Sequence, residues 1–199
     1  MDPAALGYVQ KYFEQFLPLS MDELKQLLTY CEIRQFPKKK IILQEGETDN
    51  YLNIVVSGLM RKFIRIKKTE QTLQLATEGH IINSEISFLK QVPSVLLLQT
   101  LEPTTLISLS YTKMMDALDH YPPGERLGRQ ILSRMYVKKD ERRFARASLN
   151  VRERFLHYLE GHPHMLQRVP QKYLASYLNI KPETFSRLKH LVKTGKKSL

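Results

Sequence analysis

The sequence predicts an α+β chain: a small antiparallel β-barrel or sandwich in front, one long helix behind it, and a helix-turn-helix near the C-terminus. Three observations carry this. Between Ile33 and Leu109, short β-branched and aliphatic runs alternate with turn residues. Residues 125–147 hold no proline and only Gly128 as glycine. From Val169 to His190, apolar, small and turn residues stand in helix-turn-helix register.

The chain opens with a helix over residues 8–17, where Val9, Phe13 and Phe16 share one face and Pro18 ends the run. Ser20-Met-Asp-Glu23 then has the form of a capping box, the Ser20 hydroxyl accepting from the Glu23 amide while the Glu23 carboxylate reaches back. Leu24, Leu27 and Leu28 give the next helix its stripe. The β region follows as Ile41–Leu43, Leu52–Val56, Leu59–Ile66, Leu73–Leu75, Ile81–Ile82, Leu96–Leu98 and Leu106–Leu109, with Gly46, Gly58 and Gly79 among the turns. Such close turns suit a small barrel or sandwich. In Arg61–Lys68, apolar Phe63, Ile64 and Ile66 interleave with Arg61, Lys62, Arg65, Lys67 and Lys68, the pattern of a half-exposed strand.

Pro122-Pro123-Gly124 breaks the chain. Beyond it, Leu127, Ile131 and Met135 recur at i, i+4 and i+8, which predicts a helix of about six turns with a narrow apolar stripe. Its second half, Lys138 to Arg146, is basic and mostly solvated. Such a stripe packs on its own domain or on a second chain. Asn150-Val-Arg-Glu153 is a second capping box, followed by Val151, Phe155, Tyr158 and Leu159 on one face and a stop at Gly161.

Composition bounds the function classes. The chain has 199 residues, 42% apolar and 26% charged, ordinary for a globular protein. Residues 1–133 carry 15 Lys/Arg and 15 Asp/Glu, whereas residues 134–199 carry 16 and 5, so the whole net charge of +11 sits in the last third. That asymmetry fits one part meeting a polyanion, or a solubilising basic tail. The single cysteine, Cys31, excludes multi-cysteine zinc and iron–sulfur sites within one chain. No apolar run is long enough to span a membrane and no signal peptide is evident, so a cytoplasmic location is expected, with no membrane partner. Nucleophile motif, phosphate-binding glycine loop and metal-spaced His/Asp/Glu set are all missing. The expectation is therefore no enzyme, no cofactor and no metal. His162-Pro-His164 reads as a loop pair.

The segment with most information runs from Val169 to His190. Pro170 stands where a first helix begins, its missing N–H not needed there. Counted from Gln171, the small residue Ala175 is fifth and the turn residue Asn179 ninth. Leu174, Leu178, Ile180, Phe185 and Leu188 are fourth, eighth, tenth, fifteenth and eighteenth. Asn179 suits the left-handed backbone of the tight turn, where Gly is otherwise usual. Pro182 starts the second helix. Its outer face offers Glu183, Ser186 and Arg187 as base readers, Arg for guanine and Glu for the cytosine amino group; the bland alternative is a surface ion pair. Lys172, Thr184, Lys189, Lys196 and Lys197 are candidates for phosphate.

Lys-Pro-Glu-Thr-Phe-Ser-Arg187 resembles the recognition helix of the Crp/Fnr transcription regulators. Phe36 to Gly46 resembles the opening of their cyclic-nucleotide-binding-like domain, Tyr51 to Gly58 the strand ending in a Ser-Gly turn, and Val92 to Pro103 the strand after the phosphate cassette. The resemblance implies an N-terminal double-stranded β-roll (jelly-roll-like) sensor over residues 1–121 and a long dimerisation helix over 122–148. It implies a winged helix-turn-helix over 149–199. It further implies a homodimer on double-stranded DNA with an inverted-repeat operator, an effector of unknown identity, and contact with RNA polymerase. Leu127, Ile131 and Met135 then become the dimer seam.

Departures from the family pattern shape the expectation. The cyclic-AMP phosphate is held there by Gly-Glu and Arg-Ser; here Ser84-Glu85 and Ser94-Val95 stand in those places. Without the guanidinium a buried phosphodiester loses its charge partner. The predicted regulator therefore does not answer to cyclic AMP in the usual way. Ser84, Glu85, Ser94 and Val95 line a candidate effector pocket, with Glu85 either a local partner or a contact for another ligand. After Val192 too few residues follow for a full wing, and Lys181 replaces the usual Ser or Thr cap. The alternative reading is a ligand-sensing or protein-interaction module with a degenerate DNA-binding domain.

Overall fold

The structure, a computed structural model, describes the backbone of residues 10–195 and the side chains of residues 10–190. Val9, Lys196 and Lys197 lie outside the described residues.

Residues 10–14 are helical and bury Tyr12 and Phe13. Helix α1 (Met21–Tyr30) starts on the predicted capping box: Ser20 Oγ accepts from the Glu23 amide at 3.3 Å, and a Glu23 carboxylate oxygen accepts from the Ser20 amide at 2.7 Å. Among the described residues eight strands follow: β1 (Cys31–Phe36), β2 (Ile41–Leu43), β3 (Tyr51–Ser57), β4 (Met60–Ile66), β5 (Thr69–Ala76), β6 (Ile81–Ile82), β7 (Leu97–Thr100) and β8 (Thr104–Ser110). They form two four-stranded sheets, ordered β1-β8-β3-β6 and β2-β7-β4-β5, with every pairing antiparallel. The space between the sheets is filled by Leu43, Val55, Met60, Ala76, Ile82, Leu98 and Leu106. This jelly-roll-like domain agrees with the sandwich or barrel expected from turn spacing. Gly58 makes the β3–β4 turn at φ 105°, and a Cβ there would meet the Pro103 carbonyl at 2.5 Å, so only glycine fits.

A short helix α2 (Glu85–Lys90) interrupts the strands. Helix α3 (Tyr111–His120) follows β8, and its start was not foreseen; Ser110 caps it by accepting from the Lys113 amide. Helix α4 (Gly124–Ser148) is the predicted long helix. It packs beside α3 and Leu127 joins a core with Leu24, Leu27, Ile54, Ile107, Ala117 and Tyr121.

The C-terminal helices are α5 (Val151–Gly161), α6 (Met165–Arg168), α7 (Gln171–Leu178) and α8 (Pro182–Gly195). The second capping box is present too, Asn150 Oδ1 accepting from the Arg152 and Glu153 amides at 3.0 Å each. Asn179 ends α7 in the left-handed conformation (φ 54°, ψ 50°), as expected for the turn. Leu174, Ala175, Leu178, Ile180, Phe185 and Leu188 are all buried with Phe155 and Leu159, and the Phe155 and Phe185 rings meet edge to face at 5.2 Å. Leu59, Leu75 and Leu101 of the roll belong to the same cluster, so the C-terminal helices share a core with the sheets.

Candidate ligand pocket and exposed helix face

Strand β4 departs from its sequence pattern. Arg61 and Lys62 are not half-exposed but buried, at 2% and 5% exposure. A bulge in the β4–β5 register between Lys62 and Phe63 accompanies this. Lys62 pairs with Glu85: Nζ lies 2.6 and 2.7 Å from the two carboxylate oxygens and donates to the Asn83 carbonyl at 3.0 Å. Burial pulls the Lys62 ammonium below its ordinary range, and Glu85 pulls it back up. Arg61 is held between the rings of Phe63 and Tyr173, its guanidinium carbon 3.7 and 3.8 Å from their centroids. It also donates to Gln99 and Glu70 at 2.8 and 2.7 Å. Gln99 and Tyr173 for Arg61, and Asn83 and Glu85 for Lys62, come from distant sequence, which is why local alternation misread the strand.

The expected pocket residues gather only in part. Ser84 and Ser94 are buried and their hydroxyls lie 2.9 Å apart. The Ser84 amide donates to Asp49 Oδ2 at 2.6 Å, and the Tyr51 amide to Asp49 Oδ1 at 3.2 Å. The Asp49 amide donates to Ser87 Oγ at 2.8 Å. Thus a side-chain carboxylate from the β2–β3 connection takes the amide at the head of α2. Burial raises the Asp49 carboxyl, against the pull of those amides and of Lys62 and Arg34. Asp49 was not singled out in the sequence, because its partner lies 35 residues away. Val95 is 61% exposed and stands apart from this cluster.

Along α4, Leu127 is buried and Ile131 packs on the same core within the chain. Met135 is half-buried on that side. The apolar residues that α4 leaves outward are Leu132, Tyr136, Val137 and Phe144, the last at 73% exposure. A helix turned this way offers a second chain a different face from the Leu127–Met135 stripe.

On α8, Glu183 and Arg187 are exposed, and Thr184, Ser186 and Lys189 half-buried. Among the described residues Glu183 and Arg187 make no ion pair with each other or with a third group. The ammonium of exposed Lys172 lies 4.8 Å from the centroid of the Tyr173 ring. The opposite side of α7 is pinned to the roll. Ser176 Oγ accepts from the Thr72 amide at 2.9 Å and donates to the Glu70 carbonyl at 3.1 Å, and Gln71 donates to the Ser176 carbonyl. Arg168 completes the seam with bonds to Glu78 (2.8 and 2.9 Å), Glu102 (3.1 and 2.6 Å) and the Gly58 carbonyl (3.0 Å). The Arg168 guanidinium holds the Glu78 carboxyl down at about 2. Among the described residues no cluster of His, Cys, Asp and Glu could hold a metal ion, and no helix is long and apolar enough to cross a membrane.

Residues 33–121 match the family model of the cyclic nucleotide-binding domain. No curated protein matches the sequence. Among solved structures, the c-di-GMP responsive global regulator CLP of Xanthomonas campestris superposes with a TM-score of 0.66 at 19% identity, over 88% of this chain and 93% of that one. FixK2 of Bradyrhizobium japonicum gives 0.67 at 16% identity, over 83% and 86%. The catabolite activator protein of Thermus thermophilus gives 0.53 at 23%, over 91% and 87%. Residues 33–121 are thus similar to the cyclic nucleotide-binding domain, and the chain shares its fold with these three solved structures.

Proposed function

We propose that this chain is a sequence-specific DNA-binding transcription regulator that works as a homodimer. The observation that carries the reading is the α7–Asn179–α8 unit. Its inner face is fully packed, while Glu183 and Arg187 stand outward with no partner among the described residues. A helix-turn-helix presents its second helix to a major groove in this manner. Glu183, Ser186 and Arg187 read base edges; Lys172, Thr184 and Lys189 meet phosphates, joined by Lys196 and Lys197. The dimer forms along α4 through Leu132, Tyr136, Val137 and Phe144, and its two-fold axis calls for an inverted-repeat site. RNA polymerase is the protein partner of such a regulator.

The sensor does not take cyclic AMP in the usual way. Asp49 already satisfies the Ser84 amide, Lys62 already neutralises Glu85, and Ser94 replaces the phosphate-binding arginine of the family pattern. A nucleotide phosphate entering here would face a buried carboxylate without a free guanidinium. Micromolar cyclic-AMP binding by calorimetry would overturn this part.

Selection of bound DNA from a randomised pool tests the main reading. An inverted repeat with half-sites about one helical turn apart should be enriched. Arg187→Ala should then cost roughly 1–3 kcal/mol and relax preference at one base pair. Recovery of no preferred sequence would favour a sensing or protein-binding module instead.

A further inference from the structure

A cleft of about 420 Å³ lies where β1 and β3 meet the β2–β3 connection. None of Ser84, Glu85, Ser94 and Val95 lines it. Strand register explains what does. Arg34 of β1 stands opposite Leu106 of β8, and Leu106 opposite Val55 of β3. Leu106 and Val55 belong to the core between the sheets, and cross-strand partners share a face. Alternation along β3 puts Tyr51 on the face of Val55. Arg34 and Tyr51 therefore both point between the sheets. The Arg34 guanidinium carbon lies 3.9 Å from the centroid of the Tyr51 ring and 5.0 Å from that of Phe36.

Arg34 and Arg61 are both stacked on aromatic rings, but their donors end differently. Arg61 is buried and donates to Gln99 and Glu70. Arg34 is half-buried, and among the described residues it makes no hydrogen bond and no ion pair. Its N–H donors border the cleft without a protein acceptor. The opposite sign comes from the β2–β3 connection. Glu47 lines the cleft and is exposed; one of its carboxylate oxygens accepts from the Gln44 amide at 2.7 Å, and the other has no partner among the described residues. Asp49 lines the cleft too, buried, its oxygens accepting from the Tyr51 and Ser84 amides. This wall is fixed in place. The Gly46 amide donates to the Ser94 carbonyl at 2.8 Å, and the Ser94 amide to the Glu47 carbonyl at 2.9 Å.

We infer that this cleft binds a small zwitterion, a free α-amino acid, between Arg34 on one wall and Glu47 with Asp49 on the other. The ligand's carboxylate takes the Arg34 fork, which is built for two parallel N–H···O bonds. Its ammonium takes the open oxygen of Glu47. Its side chain rests on Tyr51 and Ile42, the apolar part of the lining. The volume is within the range of small-molecule sites. A phosphate or a dicarboxylate would suit Arg34 but meet two carboxylates of its own sign. A polyamine would suit the carboxylates but meet Arg34. A ligand carrying both signs satisfies both walls. Asp49 also holds the Ser84 amide at the head of α2, so an occupant of the cleft bears on that helix.

The test needs no DNA, so its failure leaves the DNA reading standing. Each common free L-amino acid is titrated calorimetrically into the full chain at neutral pH. At least one should bind saturably with sub-millimolar affinity. Its N-acetyl form lacks the ammonium and its carboxamide lacks the carboxylate; each should bind about tenfold more weakly or worse. Arg34→Gln and Glu47→Gln should each weaken the parent amino acid to a similar extent. Glu47 is exposed and glutamine keeps an acceptor for the Gln44 amide, so Glu47→Gln tests the site even where Arg34→Gln folds less well. Lys25→Gln, which removes an exposed cation of α1, should leave the affinity unchanged. Absence of saturable binding by any amino acid overturns the inference. So does an N-acetyl form that binds as tightly as the free amino acid, or a folded Arg34→Gln variant with the parent's affinity. An equal loss from Lys25→Gln would also overturn it, since it would reduce the effect to general basicity.

Discussion

Arg168 and Arg187 lie 19 residues apart and are used in opposite ways. Arg168 spends its guanidinium inside the chain, on Glu78, Glu102 and the Gly58 carbonyl. Arg187 stands on α8 with no ion pair among the described residues. The first ties the helices to the roll; the second is exposed, and in the proposed function it meets DNA. The contrast separates cations bound within the chain from cations left exposed, a distinction the net charge of +11 conceals. It also explains why both regions depend on one core. The seam and the exposed face are two sides of the same packed helix pair.

The largest effect should come from removing that shared support. Phe185 is 1% exposed and contacts Phe155 edge to face. Phe185→Ala should cost about 3–5 kcal/mol in denaturant unfolding. Because Leu59, Leu75 and Leu101 lie in the same cluster, the loss should appear in one transition. Separate melting of the roll and the helices would break the comparison by showing that the seam does not couple them.

Arg168→Ala should cost about 2 kcal/mol, since three acceptors lose their donor at a partly solvated site. It should leave the preferred DNA sequence unchanged. Arg187→Ala should do the reverse, altering sequence preference with stability within about 0.5 kcal/mol of the parent. Unfolding curves and selected-site titrations on both variants give the four values. A stability loss at Arg187 equal to that at Arg168 would show that the two arginines are not used differently.

How much of this contrast could be read from sequence differs between its two sides. The α7–α8 register, the left-handed Asn179 and both capping boxes were legible because their partners lie within about four residues. The sandwich class was legible from turn spacing. The seam was not. Arg168 meets carboxylates 66 and 90 residues away, and Arg61 is covered by Tyr173. A basic residue in an alternating strand reads as solvent-facing until its partners are known. The same limit hid Asp49, and the family pattern grouped Val95 with Ser94 although Val95 lies at a bend before β7 and is 61% exposed. The face of α4 was likewise ambiguous, since Leu127–Met135 and Leu132–Phe144 are both plausible seams on one helix.

The seam should also carry an acid-sensitive share of stability. Arg168 lowers the folded Glu78 carboxyl from 4.5 to about 2. A depressed folded value contributes stability that is complete above 4.5 and disappears as pH falls through about 2. The Glu78 side chain is 40% exposed, so solvent screening keeps the contribution near 1–2 kcal/mol. Parent and Glu78→Gln unfolding energies should therefore differ fully above about pH 5 and converge only as pH falls to about 2. A difference independent of pH would remove the ion pair from the explanation.

The smallest effect lies at the turn that joins the two uses. Asn179 adopts φ 54° and ψ 50°, and its amide donates to the carbonyls of Ala175 and Ser176, closing α7. Ile180 is then delivered to the core, where it is 6% exposed. Asn179→Gly keeps the left-handed backbone without a Cβ, so stability should shift by less than about 1 kcal/mol. Asn179→Ala forces an ordinary side chain into that region and should cost about 1–2 kcal/mol. The order Gly, Asn, Ala in thermal unfolding is the expected result. If Ala matched Asn, backbone conformation would not be what fixes the turn, and the placement of Arg187 opposite the Arg168 seam would have to come from side-chain packing alone.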